Sequence, residues 1–230
     1  MKLSRTNTIL AKMKEQGITH ALVSDPYSIF YLTGFLENPG ERFFAILLDE
    51  NGNHKLFLNI LFPLEEDLGL EIVSYSDTDD IISKVAEYIP DGTKLGIDKI
   101  LPARFLLPLM DKLPKTKFVD VSVLVDTTRM LKDEEEKELM RISSELNDKA
   151  CQFVIDNITE HTTEKDLVKK LLAYYEEIGV EGTSFAPIIA FGDNGANPHG
   201  MPGDRKPKPG ESVIVDIGGI KDKYDSYSVL

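Results

Sequence analysis

Two side chains in one stretch of this 230-residue sequence are placed to do chemistry. His199 stands between Pro198 and Gly200, where flanking turn formers hold an imidazole on irregular backbone rather than on a core face. Asp216 follows Val213, Ile214 and Val215, so an apolar strand enters a core and presents a carboxylate where it emerges. An imidazole can act as acid and base near neutral pH, and oxygen and imidazole donors together can hold a metal ion. Read alone, Asp216 is a turn aspartate and His199 a solvated loop residue before either is a catalytic group.

The elements that must hold these groups extend outward from that stretch. Phe185 to Phe191 reads as an apolar strand, the next twenty or so residues as a loop crowded with Gly, Pro and Asn, and Ser212 to Ile217 as the second strand. Ahead of them, Lys132 to about Ile158 reads as one long helix with the apolar stripe Leu139, Met140, Ile142, Leu146, Ala150, Phe153 and Val154. The acidic run Asp133 to Glu136 lies where the helix dipole favours negative charge. Neighbouring side chains diverge around a helix axis, so the run reads as a solvated helix start and not as a metal cluster. Thr162 or Thr163 caps a second helix, with Asp166 completing the capping interaction from Thr163. Leu167, Val168, Leu171, Leu172 and Tyr175 form its buried face, Gly179 ends it, and His161 is a loop or cap residue.

The amino-terminal half names no reaction, but its fold class is legible. Arg5 to Gln16 is a helix closed by Gly17, and Thr19 to Ser24 is a buried strand ended by Asp25-Pro26, with His20 packed or solvated at its start. Phe43 to Asp49 and Lys55 to Asn59 are strands around Asn51-Gly52, a pair that favours a tight hairpin turn with His54 facing solvent. Asp79 to Tyr88 is a helix, Lys94 to Asp98 a strand, Pro102 to Leu113 a helix and Lys117 to Val121 a strand. Helices and strands alternate at βαβ spacing while the hairpin is antiparallel, which predicts an α/β domain with a mixed, helix-covered sheet ending near Asp126. The aromatic string Tyr27, Phe30, Tyr31, Phe35 reads as core.

Composition excludes several partners. The net charge of -13, without any basic block, argues against binding a phosphate backbone and so against a nucleic-acid partner. A single cysteine, Cys151, rules out an internal disulfide framework, points to a reducing compartment and reads as a small buried hydrophobe. The first residues lack the apolar core of a secretory signal, and no run approaches the roughly 20 apolar residues of a membrane span. The expectation is a cytoplasmic protein with no membrane partner.

The string from Ser184 through Gly219, with its Pro-His-Gly, Gly-Asp-Arg and Val-Asp-Ile-Gly-Gly, resembles the creatinase, prolidase and aminopeptidase P family. Ser28 to Phe35 (SIFYLTGF) resembles that family's amino-terminal signature, and Arg129 to Arg141 (RMLKDEEEKELMR) its linker helix. The resemblance implies an α/β chain, α+β overall. A mixed-sheet creatinase-type domain over 1–126 is followed by the first half of a pita-bread catalytic domain over 127–230. It implies a metallopeptidase hydrolysing the bond before proline in proline-containing peptides, with two divalent ions, manganese or cobalt, and a homodimer in which the amino-terminal domain assists. By position Asp216 corresponds to the first metal-binding aspartate, and His199 to the histidine that lies by the substrate and stabilises the tetrahedral intermediate. The acidic run at Asp133 to Glu136 corresponds to no ligand.

The chain also departs from the pattern. The family's second aspartate lies eleven positions after the first, where this sequence has Tyr227. A phenol with a pKa of roughly 10 is a poor substitute for a bridging carboxylate. Tyr224 and Ser226 still fit, and Asp225, of the same strand parity as Tyr227, approaches the site only if the hairpin shifts by two residues. After Tyr227 come only Ser228, Val229 and Leu230, and the family's remaining histidine and two glutamates have no counterpart in these residues. A frameshift, a truncation, a coding boundary or an intended fragment leaves this pattern. Half of a pseudo-symmetric sheet exposes an apolar face and an unpaired edge. Three readings follow: an Xaa-Pro dipeptidase or aminopeptidase P-like enzyme that is inactive as this chain, a creatinase-like metal-independent hydrolase, or a non-catalytic dimerisation or binding module.

Overall fold

Strands that carry apolar residues on both faces need cover on both sides, and the first half of the chain supplies it. The computed structural model describes every residue except Tyr227 and Leu230, and the side chain of Val229 is likewise left aside. Two compact units result, Met1–Leu131 and Lys132–Leu230. Among the described residues no helix is long and apolar enough to cross a membrane.

The first unit runs α1 (Leu3–Glu15), β1 (His20–Val23), α2 (Pro26–Thr33), β2 (Ala45–Asp49), β3 (Lys55–Asn59), β4 (Glu71–Tyr75), α3 (Ile81–Ala86), β5 (Lys94–Ile97), α4 (Ala103–Lys112), β6 (Lys117–Asp120) and α5 (Ser122–Arg129). Its sheet has the order β4-β3-β2-β1-β5-β6. The pairings β3–β4, β1–β5 and β5–β6 are parallel, whereas β1–β2 and β2–β3 are antiparallel, the mixed sheet expected from the sequence. Alternation along β1 explains the layers. Ala21 and Val23 join a core with Ile9, Met13, Ile29, Leu32 and Val125, while Leu22 joins the opposite core with Ile82, Val85, Leu95 and Leu109. Each fully buried aliphatic side chain stabilises this arrangement by about 1.5–3 kcal/mol relative to exposure.

The start and stop signals are local. Asp25 ends β1 and its Oδ2 accepts the Ser28 N–H at 3.1 Å, capping α2, and Gly34 closes that helix at φ +85, where a side chain would be strained. Three elements of this unit escape the sequence reading, α2, β4 and α5. Strand β4 is a partly exposed edge strand, mixed in polarity and without the apolar run that marks the inner strands. Helix α5 contains Val123, Val125, Thr127 and Thr128, β-branched residues that read against helix, yet Leu124, Val125 and Thr128 are buried and the two threonine hydroxyls bond back to Val123 and Leu124 carbonyls. This helix spans the 126 read as a domain end and packs within the first unit, which continues to Leu131.

Two expectations for side chains change. Tyr31 is buried but Tyr27 is 51% exposed, because successive helical positions point around the α2 axis, so the aromatic string is only partly core. The segment between β2 and β3, Glu50 to His54, is the antiparallel hairpin connection expected around Asn51-Gly52. Asp49 Oδ1 accepts the Asn51 N–H at 2.9 Å, and the Asp49 N–H donates to His54 Nδ1 at 3.2 Å, so His54 folds inward and is half-buried. Burial lowers the His54 pKa below its ordinary 6.5, with Asp49 opposing. The unfolded chain therefore takes up this proton first. The stability due to neutral His54 is present above about pH 6.5 and is lost as the pH falls through the folded-state value. Urea unfolding between pH 7.5 and 5 is expected to show a smaller loss of first-unit stability in His54→Asn than in the wild type; equal losses contradict this.

The second unit begins with α6 (Glu134–Asp156) and α7 (Glu164–Glu177) and continues with β7 (Gly182–Thr183), β8 (Ile188–Phe191), β9 (Val213–Ile217), β10 (Gly219–Lys221), β11 (Tyr224–Asp225) and β12 (Ser228–Val229). Both helices start with capping boxes, Asp133 with Glu136 and Thr163 with Asp166. Ala150, Val154, Leu167, Leu171, Tyr175, Ile189, Phe191, Val215 and Ile217 form the core. Strands β12-β9-β8 make one sheet and β11-β10-β7 another. The hairpin register runs from Asp216 opposite Val229 to Lys221 opposite Tyr224, turning at Asp222 and Lys223, both with positive φ.

The buried face of α6 corrects the expected stripe. It carries Glu136, Ser143 and Asn147 before Ala150, Cys151 and Val154, while Met140 is exposed. The polar members are buried because the hairpin brings partners to them. Ser143 Oγ donates to the Tyr224 carbonyl at 3.0 Å, and Asn147 Nδ2 donates to the Ile217 carbonyl and Ser228 Oγ. Glu136 is thus a buried capping residue and not part of a solvated start. On α7, Leu172 is 42% exposed, since Leu167, Leu171 and Tyr175 already fill the face turned to the core.

Candidate functional site

Asp216 occupies the middle strand of the β12-β9-β8 sheet, opposite Ile188 on one side and Val229 on the other. Its neighbours Val215 and Ile217 are buried in the core, so alternation turns the half-buried Asp216 to the other face. Two residues on, Gly218 lets the chain pass close to its surroundings. A Cβ there would collide with Ser184 Oγ and the Ser226 carbonyl oxygen. The backbone beyond Asp216 is therefore held tightly.

His199 is exposed on the long loop between β8 and β9, which opens with a 3-10 turn at Gly192–Ala196. The loop is ordered by its own polar groups. The His199 N–H donates to Asn197 Oδ1 at 3.1 Å, and the Gly200 N–H donates to the Asn197 carbonyl at 2.9 Å. Further along, Arg205 Nη2 donates to Glu211 Oε1 at 2.7 Å, and Glu211 Oε2 accepts the Lys208 N–H at 3.2 Å.

The neck of this loop is gripped by Glu164, the first residue of α7, which is 0% exposed. Glu164 Oε1 accepts the Phe191 N–H at 2.8 Å. Its Oε2 accepts Asn194 Nδ2 at 2.9 Å and the Gly203 N–H at 2.7 Å. In return the Glu164 and Lys165 N–H groups, which have no partner within their own helix, donate to the Arg205 and Gly203 carbonyls, each at 3.1 Å. Sequence reasoning missed this residue, since an acid in a first helical turn ordinarily serves the dipole from the surface. The available signal was the loop itself, whose many glycine amides need an acceptor once they leave water.

The metal expectation does not come together in the described residues. Among them no three His, Cys, Asp or Glu side chains converge to hold a metal ion. The hairpin shows no two-residue shift, since Asp225 pairs opposite Ile220 and is exposed. Tyr227 lies outside the described residues. A surface depression of about 520 Å³ along α7, lined by His161, Thr162, Asp166, Lys169, Lys170 and Ala173, includes neither His199 nor Asp216. Cys151 is buried and its thiol is pushed up by that burial, away from nucleophile chemistry.

Residues 5–131 match the family model of the creatinase/prolidase N-terminal domain. The chain belongs to the creatinase/prolidase family. Its residues 138–228 match metallopeptidase family M24, so the second unit, with its helices α6 and α7 ahead of the strands, is the beginning of a pita-bread domain. An uncharacterized peptidase of Staphylococcus saprophyticus is 32% identical over 98% of this chain, which covers 64% of the relative. A prolidase from Thermococcus sibiricus superposes on 100% of this chain with a TM-score of 0.88 and 29% identity, and a dipeptidase from Pyrococcus horikoshii on 98% with a TM-score of 0.86 and 27% identity. The chain spans 64% of the length of each of these three proteins. Kinship with this creatinase/prolidase group accounts for the mixed α/β architecture and for the order of its motifs. The donor set described above does not by itself fit a two-metal centre.

Proposed function

We propose that this chain carries the amino-terminal domain and the first part of the catalytic domain of an Xaa-Pro dipeptidase or aminopeptidase P-like metallopeptidase, acting on proline-containing peptides. The observation that carries the reading is the match of residues 138–228 to a metallopeptidase family, over the very loop and strand that bear His199 and Asp216. In this reading Asp216 is a metal ligand on a rigid central strand, and His199 faces the substrate from a braced loop. The proposal extends to manganese or cobalt as the metal, to a homodimer and to a cytoplasmic protein. A homodimer is supported by large apolar side chains on the first unit's surface, among them Val123, Met130 and Leu131, and a reducing compartment by the lone free Cys151. Because the described donors do not complete a metal centre, these residues alone are assigned no turnover. That same observation favours a second reading, a non-catalytic binding or dimerisation module built on the fully formed first unit.

The test joins residues 1–226 of this chain to the remaining third of the Thermococcus sibiricus prolidase. The chimera is expected to hydrolyse Xaa-Pro dipeptides with manganese or cobalt, and Asp216→Ala or His199→Ala to reduce the rate by about 10²-fold or more. Hydrolysis indifferent to both substitutions overturns the assigned roles, and a folded chimera without hydrolysis favours the binding module. The chain alone is expected to show a manganese-induced rise in melting temperature of less than about 1 °C. A rise of many degrees that disappears in Asp216→Ala shows instead that the chain holds a metal site.

A further inference from the structure

We infer that Glu164 is the positioning residue for His199, and this rests on the reading of His199 proposed above. Three facts carry it. The carboxylate is wholly buried, and both of its oxygens accept hydrogen bonds. Among the described residues no cation lies within ion-pair distance of it, so it is not part of a charge pair. Its acceptors are spent entirely on the loop that bears His199 and on the strand that begins that loop.

The arrangement is mechanical. Asn194 and Gly203 bracket His199 from either side, and Glu164 Oε2 binds both, closing the segment between them into a ring. Oε1 binds the amide of Phe191, the last residue of β8, which pairs with Val213 of β9. Asp216 lies on β9 opposite Ile188 of β8, so one carboxylate references the His199 loop to the sheet that carries Asp216. The donations from the α7 amides to the Gly203 and Arg205 carbonyls lock the same neck in the opposite sense. A loop of this length without such a clamp samples many conformations, and an imidazole on it spends little time in any one place.

Glutamine at this position keeps the shape but presents an NH2 group to at least one N–H donor, so one of the three bonds must fail. The test is amide hydrogen exchange and histidine NMR on the wild-type chain and Glu164→Gln, without metal or peptide. Expected is exchange about 10- to 100-fold faster at Phe191, Gly203 or both, and at the His199 amide, together with displaced or broadened imidazole signals of His199. Protection at Val154 and Leu171, in the helices behind, should stay within about twofold of the wild type. Should Glu164→Gln fail to fold, Asn194→Ala decides, since it removes one loop donor and leaves the bond to Phe191. It is expected to loosen His199 with Phe191 unchanged. The inference is overturned if His199 signals and exchange are unaltered in the folded variant, or if protection falls equally through α6, α7 and β8. Because neither readout uses metal or peptide, an inert chimera with a loosened Glu164→Gln loop removes the peptidase reading and leaves the positioning role standing.

Discussion

Asp98→Ala is expected to destabilise the first unit by about 3 kcal/mol, out of all proportion to the size of the side chain removed. Asp98 is buried just beyond the carboxyl end of β5, beside the end of the parallel strand β1. Its Oδ2 accepts the Ser24 and Asp25 N–H groups at 2.7 and 2.8 Å, and its Oδ1 accepts Ser24 Oγ at 2.6 Å and the Leu101 N–H at 3.1 Å. One side chain thus satisfies backbone donors from the turn into α2 and from the turn ahead of α4. Alanine leaves those donors without acceptors where water has little access, and an unmet buried donor costs about 1–3 kcal/mol. Asparagine does not repair the site, because its NH2 group meets N–H donors. The midpoint of denaturant unfolding, followed on first-unit signals, measures the effect. A loss below about 1 kcal/mol means that water or a shifted backbone replaces the carboxylate.

Asn147→Ala is expected to cost the second unit about 3 kcal/mol and to loosen the hairpin that follows Asp216. The side chain is buried within α6, accepts Tyr175 Oη at 2.8 Å, and donates to the Ile217 carbonyl and Ser228 Oγ at 3.3 and 3.1 Å. Tyr175→Phe retains the ring and loses one bond, for about 1 kcal/mol, and the two substitutions should couple by roughly that amount in a double-mutant cycle. Additive losses contradict the proposed network. A pH signature accompanies it. Burial holds the Tyr175 phenol well above its ordinary range, so the folded state keeps a proton that the unfolded chain releases near pH 10. The stability due to neutral Tyr175 is present below about pH 10 and is lost as the pH rises toward the folded-state value. Tyr175→Phe is expected to flatten that alkaline limb, and an unchanged slope assigns it to other groups.

These two networks also mark the limit of what periodicity could reveal. Thr163 with Asp166, and Gly17 and Gly179 after their helices, were legible because a cap is decided within a few residues of itself, whereas the Asp25 cap and Gly34 stop of α2 were not read. The apolar runs under β1, β2, β3, β5, β8 and β9 were legible because a strand buried in a core must be apolar wherever the rest of the chain goes. The strand under Asp216 and the loop under His199 belong to this class, while their chemical roles rest on kinship. By contrast, α5 is built from residues that favour extended backbone, and only its packing on the first core makes the helix the better state.

Partner-dependent burial was the part that spacing concealed. Glu136, Ser143, Asn147 and Glu164 are polar residues that a helical wheel assigns to water, and His54 follows a turn that ordinarily faces solvent. Ser143, Asn147, Glu164 and His54 are drawn inward by backbone donors or acceptors that arrive from residues distant in the chain or from a folded loop, and Glu136 by its own capping box and the Tyr224 hydroxyl. The sequence by itself therefore determined the mixed α/β class, most of the elements, their caps and the family kinship. Only the tertiary structure decided which polar side chains are buried, that Asp225 stays out of register with Asp216, and how the His199 loop is held. The physical reason is that apolar burial is signed by composition along a segment, whereas burying a polar group is favourable only when its hydrogen-bonding partner is already in place.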